Sequence, residues 1–457
     1  MQRDTATSIA PADQSTVAPW SVALRYGLVA AAVVADIGLL RAPYGSVADR
    51  TAPLAVLGCV TVVALALLEH RRPHLPRRFV LGVACGLLAL AVLVPPRTSR
   101  DLWSYAMYGR IVAIHDADPY TTPPDAFRHD PALHRVSVIW RGTPSVYGPA
   151  FTTGSAVIAK VVGSSPLTTR LAYQAWAAGS VLAILLVLHK RQLHAAVIAL
   201  GLHPIVVVDL VNGGHNDALV GLLLVAAVLA VERRWPKTAG AAAAGAALVK
   251  IAAVLPAAAL VLWLWRRQGS HAATRAGATC AALLAGGYLV AGGPSALHPV
   301  LDAAGQLSKT SFWPRLHSWP LPGHEELFML AVLVALPAMI GSLARLRAHP
   351  AAAAAAATAP FLLAAPYVLP WYFAWALPLV ALADDGLLAI VLLIDTSLVV
   401  IAYTGKHLRH PDLLDRLLHR EVLVTQDFEL TALAAIVAAA LVSSVVVQLR
   451  QRRIMRS

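Results

Sequence analysis

Asp101 is the residue whose type and setting most suggest catalytic chemistry in this chain. It lies about seven residues beyond an apolar run that ends at Val94, and it opens the segment DLWSYAMYGR. A carboxylate at a membrane surface can act as general base for an acceptor hydroxyl while a lipid-borne group reaches it from the bilayer. The plainer alternative is that Asp101 caps the helix that follows, because Asp is favoured at helix N-caps.

The aromatic residues around Asp101 are candidates for contacting a substrate. Residues 102–114 are predicted to form an amphipathic helix lying along the membrane surface, and Tyr105 and Tyr108 belong to it. Tyr147 stands near the end of the same polar segment. We therefore expect these three tyrosines to bind substrate.

If the lipid-borne group leaves as a phosphate, cations or hydrogen-bond donors must hold it. Lys250 stands between two apolar half-runs, and an ionisable residue within a membrane is costly and by default functional. The alternative is a lysine at a helix end whose side chain snorkels to the interface. Arg100 and Arg315 are further phosphate candidates, although a loop arginine can instead pair with an aspartate.

The motif NGGHND at residues 212–217 predicts a tight turn, since its two glycines permit a sharp reversal. Asn216 or Asp217 is expected to cap the helix after the turn, and both are also candidates for binding substrate. His215 is a candidate for binding phosphate or sugar.

Three later aromatic residues have an ambiguous role. Trp313 lies in SFWPRLHSWP, and Trp371 and Tyr372 lie in PYVLPWYFAW. Such rings can stack on a sugar, or they can anchor the chain at the membrane interface. No His, Cys, Asp or Glu grouping has metal-ligand spacing, so we expect neither a metal nor a cofactor.

The elements that position these residues are membrane helices. Of the 457 residues, 58% are hydrophobic and 13% are charged, about half the charged share of an ordinary soluble domain. That excludes a soluble enzyme, a disordered regulator and a disulfide-stapled secreted domain. The net charge of +13 indicates topology and contact with anionic membrane lipids rather than nucleic acid, because the basic residues cluster between apolar runs.

The basic clusters predict the orientation of the chain. HRRPHLPRR, at residues 70–78, marks a cytoplasmic turn. Counting apolar runs gives about 14 crossings with both termini cytoplasmic, whereas 150–163 is too short to cross and is predicted to be interfacial or re-entrant. The expected organisation is a cytoplasmic polar tail (1–21), three transmembrane helices (22–95), an extracytoplasmic catalytic loop (96–149), the remaining helices (150–449) with outer loops 292–324 and 404–428, and a basic cytoplasmic tail (450–457).

The order of these motifs resembles a known family. SRDLWSYAMYGR, DADPY, SVYGP, NGGHNDAL, a VK beside a helix break and PWY together resemble actinobacterial polyprenol-phosphate-mannose-dependent mannosyltransferases of the GT-C superfamily. The resemblance extends from about Asp101 to Trp375. It implies an all-α, polytopic transmembrane bundle with a long first periplasmic loop, in a multi-pass plasma-membrane protein whose active site faces outward.

The resemblance also implies a reaction. Asp101 would be the catalytic base, and the enzyme would transfer mannose from polyprenyl-phosphate-mannose to a cell-envelope glycan or glycolipid, such as a lipomannan or a phosphatidylinositol mannoside, with inversion. Two alternatives remain open: a transporter or flippase of a lipid-linked sugar, and an enzyme that uses another sugar such as arabinose.

Overall fold

The computed structural model describes residues 19–43, 48–304, 306–316, 336, 349–383, 386–404 and 420–438. Within these ranges the chain is helical and contains no β-strand. The predicted all-α fold is therefore confirmed. Parts of the predicted organisation lie outside the described residues, namely 1–18 of the N-terminal tail, 317–335 and 337–348, 405–419 of the last outer loop, and 439–457 with the C-terminal tail.

The α-helices follow one another along the chain. They are α1 (Pro19–Arg41), α2 (Ala48–Arg71), α3 (Arg77–Leu93), α4 (Asp101–Ala113), α5 (Pro149–Val162), α6 (Pro166–Lys190), α7 (His194–Gly201), α8 (Asp217–Glu232), α9 (Pro236–Val249), α10 (Val254–Gln268), α11 (Ser270–Val290), α12 (His298–Ala304), α13 (Pro350–Ala364), α14 (Leu377–Ala383), α15 (Gly386–Thr404) and α16 (420–438).

Shorter helical turns and one π-helix join them. The π-helix is Ile205–Asn212, and the 3₁₀ turns are Pro124–Ala126, Leu133–Arg135, Val138–Trp140, Ile251–Ala253, Gly293–Leu297, Trp313–Leu316 and Pro370–Trp375.

The predicted count of 14 crossings is not confirmed. In the described ranges, four helices are long and apolar enough to cross a membrane, or up to six if each of two bent pairs is one span. Three of the apolar runs counted as crossings form helices of 14 or 15 residues, which are about 21–23 Å long. A bilayer core is about 30 Å thick, so hydropathy counted these shorter helices as full crossings.

Helix α4 does not lie on the surface. Its residues Leu102, Tyr105, Met107 and Ile111 are at most 1% exposed, and they point to more than one side of the helix. Gly109 packs so closely on α5 that a Cβ there would lie 2.2 Å from the Ser155 carbonyl oxygen. The predicted amphipathic surface helix is therefore wrong. The loop that follows α4 covers one side of it, and α5, α6 and the NGGHND turn cover the other.

The loop between α4 and α5 is folded around a buried carboxylate. Asp130 accepts a bifurcated hydrogen bond from Arg110 Nε, which lies 2.9 Å from each carboxylate oxygen, and its Oδ2 lies 2.7 Å from His115 Nε2. The Ala132 amide donates to Asp130 Oδ1. Arg110 also donates to the Gly163 carbonyl at the end of α5. We call Asp130, Arg110, His115 and the Ala132 amide the Asp130 clasp. It holds the loop against α4 and the end of α5.

Candidate active site

Asp101 is the first residue of α4, and its side chain is 18% exposed. The N-cap position is occupied by Arg100, which makes no side-chain cap hydrogen bond. The Asp101 amide instead donates to Ser99 Oγ at 3.0 Å. The N-cap alternative is therefore wrong, because Asp101 stands one residue inside the helix.

His215 connects Asp101 with the NGGHND turn. Its Nδ1 lies 3.8 Å from Asp101 Oδ2 and 3.2 Å from the Tyr105 hydroxyl. The imidazole stacks on Trp371 with ring centroids 3.6 Å apart, and its side chain has no exposed surface. These contacts suit a residue that orients the Asp101 carboxylate better than one that binds a ligand directly.

Asn212 and Gln174 hold the segment that leads to Asp101. Asn212 Nδ2 donates to the carbonyls at the end of α3, including those of Ala91 and Val94 at 2.9 Å, and its Oδ1 accepts the Arg97 amide. Gln174 Nε2 donates to the same two carbonyls. The sequence reasoning named neither residue as functional. The sequence offered one signal, because each is a polar residue beside or within an apolar run. In the structure both side chains are fully buried.

Lys250 points inward and is paired. Its Nζ donates to Asp217 Oδ1 at 2.8 Å, and the same oxygen accepts the Trp375 indole N–H at 2.8 Å. The ammonium lies 4.1 Å from the centroid of the Tyr372 ring. The snorkelling alternative is therefore wrong. The capping expectation is wrong as well, because Asn216 at the N-cap makes no side-chain cap hydrogen bond and Asp217 pairs with Lys250.

A close backbone contact explains why Lys250 lies at a helix break. The Gly148 amide donates to the Val249 carbonyl at 3.0 Å. A Cβ at Gly148 would lie 2.2 Å from the Leu248 carbonyl oxygen, so only glycine lets the two backbones meet in this way. Lys250 then adopts an extended conformation (φ −141°, ψ 120°) between α9 and the next turn.

Two cavities meet at Asp101. The arginine cavity, about 280 Å³, is lined by Asp101 together with Arg97, Arg100 and Asp209. The aromatic cavity, about 160 Å³, shares part of that lining, including Asp101, Trp140 and Tyr367. Its wall also includes Lys250 and the aromatic side chains of Tyr147, Trp371, Tyr372 and Trp375. Asp101 and Trp371 line both cavities, so a single carboxylate faces both.

The predicted tyrosines lie beside these cavities in different ways. Tyr147 lines the aromatic cavity, whereas Tyr105 is 1% exposed and packs edge-on against Tyr147. Tyr108 donates to the Thr143 carbonyl at 2.9 Å and so supports the loop. Burial, reinforced by the Asp101 carboxylate, raises the pKa of the Tyr108 phenol above its ordinary value.

Several predicted residues are not brought to the cavities in this structure. Trp313 is 2% exposed and donates to the Ala364 carbonyl, and Arg315 pairs with Asp427 at 2.8 Å. Asn216 is buried and lines a small separate pocket. Across the part of the chain that the structure describes, no group of three or more His, Cys, Asp or Glu is placed to hold a metal ion.

Comparison with known proteins gives one family and two relatives. A family model described as "Alpha-(1->6)-mannopyranosyltransferase, N-terminal domain" matches residues 17–267. The chain is 31% identical over 180 residues to alpha-(1->6)-mannopyranosyltransferase A of Corynebacterium glutamicum, covering 37% of this chain and 34% of that protein. It is 29% identical over 197 residues to the protein of the same name from Mycobacterium tuberculosis, covering 40% and 36%. The matched segment thus spans about a third of each relative, and no solved structure matches.

Proposed function

This chain belongs to the alpha-(1->6)-mannopyranosyltransferase family, and from that premise we propose that it is a membrane mannosyltransferase. The donor is polyprenyl-phosphate-mannose, and the acceptor is a mannose-containing glycan or glycolipid of the cell envelope. The names of the two relatives support an α-(1→6) linkage. A β-linked donor and inversion at the anomeric carbon produce that α-mannoside.

The position of Asp101 between the two cavities carries this proposal. In a one-step displacement the acceptor hydroxyl attacks the anomeric carbon from the side opposite the leaving phosphate. The acceptor and the donor therefore approach from two sides, and the base must face the point where they meet. Asp101 lines both cavities, and its carboxylate takes the proton of the acceptor hydroxyl as the new C–O bond forms and the C–O bond to phosphate breaks.

Residues behind Asp101 maintain its position. Asn212 fixes the end of α3 and the Arg97 amide, and Ser99 holds the first amide of α4. His215, stacked on Trp371 and adjacent to Tyr105, restricts the carboxylate from the buried side. These are positioning residues, and none of their contacts requires a bound substrate.

Two cations flank the base and are our candidates for holding the leaving phosphate. Arg100 lines the arginine cavity and Lys250 lines the aromatic cavity. Lys250 is held by Asp217, but an ammonium has three donor hydrogens, so it can still donate to a phosphate oxygen. Tyr147, Trp371 and Tyr372 provide ring faces for a sugar beside it.

The charges that flank α3 support an active site at the extracytoplasmic face of the plasma membrane. The arginine-rich turn at residues 70–78 lies at the start of α3, and Asp101 comes after the end of α3. Because cytoplasmic loops are enriched in Lys and Arg, the turn is cytoplasmic and the site is extracytoplasmic. A lipid-linked donor then reaches Asp101 from the outer leaflet.

The proposal is tested with the full chain reconstituted in liposomes. Radiolabelled polyprenyl-phosphate-mannose and an α-mannoside acceptor are supplied to the wild type, to Asp101→Asn and to Asp125→Asn, which changes an exposed aspartate of the same loop. We expect product from the wild type and the control, and a kcat about 10²–10⁴-fold lower in Asp101→Asn.

Different failures reject different parts of the proposal. No product from the wild type, or product only with a polyprenyl-phosphate-arabinose donor, rejects mannosyl transfer. Full activity in Asp101→Asn rejects this residue as the base while leaving the transferase activity intact.

A further inference from the structure

A third cavity lies far from Asp101, at the end of the bundle where α2 meets the arginine-rich turn. It measures about 320 Å³, which is larger than either cavity at Asp101, and it lies between α2, α7, α14 and α15. We call it the basal cleft. Its walls are mainly apolar and include Leu67, Ala196, Ala389 and Leu393. This is the size and composition of a small-molecule site.

The basal cleft is separated from the active site by the length of α3. It is lined by residues of the last turns of α2, as far as Pro73, whereas Asp101 follows the far end of α3. The 17 residues of α3 span about 25 Å, most of a bilayer core. The cleft is therefore a distinct site near the opposite membrane face.

A built polar group closes one end of the cleft. Glu69 is 1% exposed, and its Oε1 accepts Arg25 Nε at 2.7 Å while its Oε2 accepts the His74 and Leu75 amides. His194 Nε2 lies 3.0 Å from the same Oε2. The carboxylate of Glu69 is thus already supplied with donors, and it does not attract a further cation.

The rim of the cleft is basic. Arg71 and Arg72 are exposed and stand between the lining residues His70 and Pro73. Lys190 is exposed at the end of α6, two residues before the lining residue Gln192. Asp384 and Asp385 precede the lining residue Gly386 in the sequence. The basic residues of 70–78 and 189–194 outnumber these two acids. An apolar cleft with a basic rim fits a molecule with a hydrocarbon chain and an anionic head, because basic pockets between transmembrane helices bind anionic lipid head groups.

We propose that the basal cleft binds one acyl chain of an anionic glycerophospholipid, whose phosphate lies against Arg71 and Arg72. The lipid comes from the leaflet on the arginine-rich side of the membrane. The polar wall at Glu69 and His194 ends the hydrocarbon part of the site. This lipid site does not depend on the chemistry at Asp101.

The test measures lipid binding by purified full-length protein in neutral detergent. Native mass spectrometry follows titrations with phosphatidylglycerol, with phosphatidylcholine of the same acyl chains, and with a polyprenyl phosphate. We expect the wild type to bind phosphatidylglycerol at least tenfold more tightly than phosphatidylcholine. The double substitution Arg71→Gln, Arg72→Gln removes that preference without entering the cleft.

Substitutions that fill the cleft locate the acyl chain. Ala196→Trp enters from α7 and Leu67→Trp from the rim of α2, and each should weaken phosphatidylglycerol binding at least tenfold. Ala278→Trp, at an exposed position of α11 that does not line the cleft, should leave it unchanged. Circular dichroism melting reports whether each variant is folded.

Three results would overturn the proposal. They are equal binding of the two phospholipids by the wild type, unchanged phosphatidylglycerol binding in both tryptophan variants, and tighter binding of polyprenyl phosphate that both tryptophan variants abolish. The last result would assign the cleft to a prenyl chain.

Discussion

Asp101 and Asp130 lie in the same segment between α3 and α5, yet their carboxylates have opposite surroundings. The Asp130 side chain is 1% exposed and receives hydrogen bonds from Arg110, from the Ala132 amide and from His115. The Asp101 side chain is 18% exposed, faces two cavities, and has the His215 ring 3.8 Å away.

The difference separates a structural carboxylate from one suited to chemistry. A buried carboxylate whose lone pairs are occupied by donors stabilises the fold but has no capacity left to accept a proton from a substrate. A partly exposed carboxylate that lines a cavity lies within reach of a substrate hydroxyl. The type of residue and its position in a polar loop do not distinguish the two aspartates, whereas their burial and their access to the cavities do.

Among the substitutions that test this difference, removal of Asp130 should have the largest effect on the free energy of unfolding. Asp130→Ala leaves the Arg110 guanidinium buried without its carboxylate, and breaking a buried pair in this way costs about 3–5 kcal/mol. We expect a free energy of unfolding lower by about that amount in denaturant titrations of the detergent-solubilised protein. Transfer activity per folded molecule should remain near that of the wild type.

Asp125→Ala provides the control for that experiment, since Asp125 is exposed in the same loop. It should change the free energy of unfolding by less than about 0.5 kcal/mol. A stable Asp130→Ala protein with lost activity would reverse the roles that we assign to the two aspartates.

A substitution at Lys250 tests whether a lysine that is already paired with an aspartate can also bind the donor phosphate. Its ammonium is buried against Asp217 and three aromatic rings, as the Asp130 clasp is buried, but it also lines the aromatic cavity. Lys250→Met should raise the KM for the polyprenyl-phosphate donor by about 10–100-fold, which corresponds to one charge-assisted hydrogen bond of about 1.5–3 kcal/mol. The KM for the acceptor should change little.

Lys160→Met, at an exposed position in the last turn of α5, is the matched control. Steady-state kinetics with each substrate varied in turn would decide the question. Equal increases in both KM values would place Lys250 with the structural charges.

The sequence pointed to polar residues of the candidate site but not to their contacts. Asp101, Lys250 and the NGGHND turn were identifiable because each places polar groups beside or within apolar runs. Their partners were not, since Asp217 and Lys250 are 33 residues apart and Asn212 meets Ala91 across 121. Such pairings depend on how helices pack, and a single sequence contains no direct record of them.

The fold class was also predictable from the sequence, whereas details of the helix arrangement were not. Composition predicted an all-helical membrane protein, and that is confirmed. The number of crossings and the place of α4 were not predictable, because hydropathy does not distinguish a half-length helix from a full span. Nor does it show that a loop will cover a helix with tyrosines on its face.

Gly148 tests how tightly the loop must meet the helix break at Lys250. Its backbone (φ −67°, ψ 162°) is open to any residue, so Gly148→Ala introduces only the clash with the Leu248 carbonyl. Such overpacking costs about 1–3 kcal/mol. We expect a lower melting temperature together with a higher donor KM, because the displaced loop shifts the backbone next to Lys250.

Gly82→Ala in α3 is the control, as a Cβ at Gly82 meets nothing within 4 Å. It should leave both measurements unchanged or raise the melting temperature slightly, since alanine favours a helix over glycine. A lower melting temperature in Gly148→Ala without a change in donor KM would show that this contact supports the fold alone.

The smallest expected effect is the acid dependence of the Asp130 clasp. Burial by itself raises the pKa of Asp130, but the hydrogen bonds from the Ala132 amide, His115 and Arg110 outweigh it and hold the pKa below its ordinary value of 3.8. A carboxyl group with a lowered pKa stabilises the fold above its unfolded-state pKa, and that contribution is lost as the pH falls through the folded-state value. The difference in melting temperature between the wild type and Asp130→Asn should therefore be constant above about pH 5 and shrink below pH 3.8. A difference that stayed constant down to pH 2 would mean that the clasp stabilises the loop through packing rather than through the charge of Asp130.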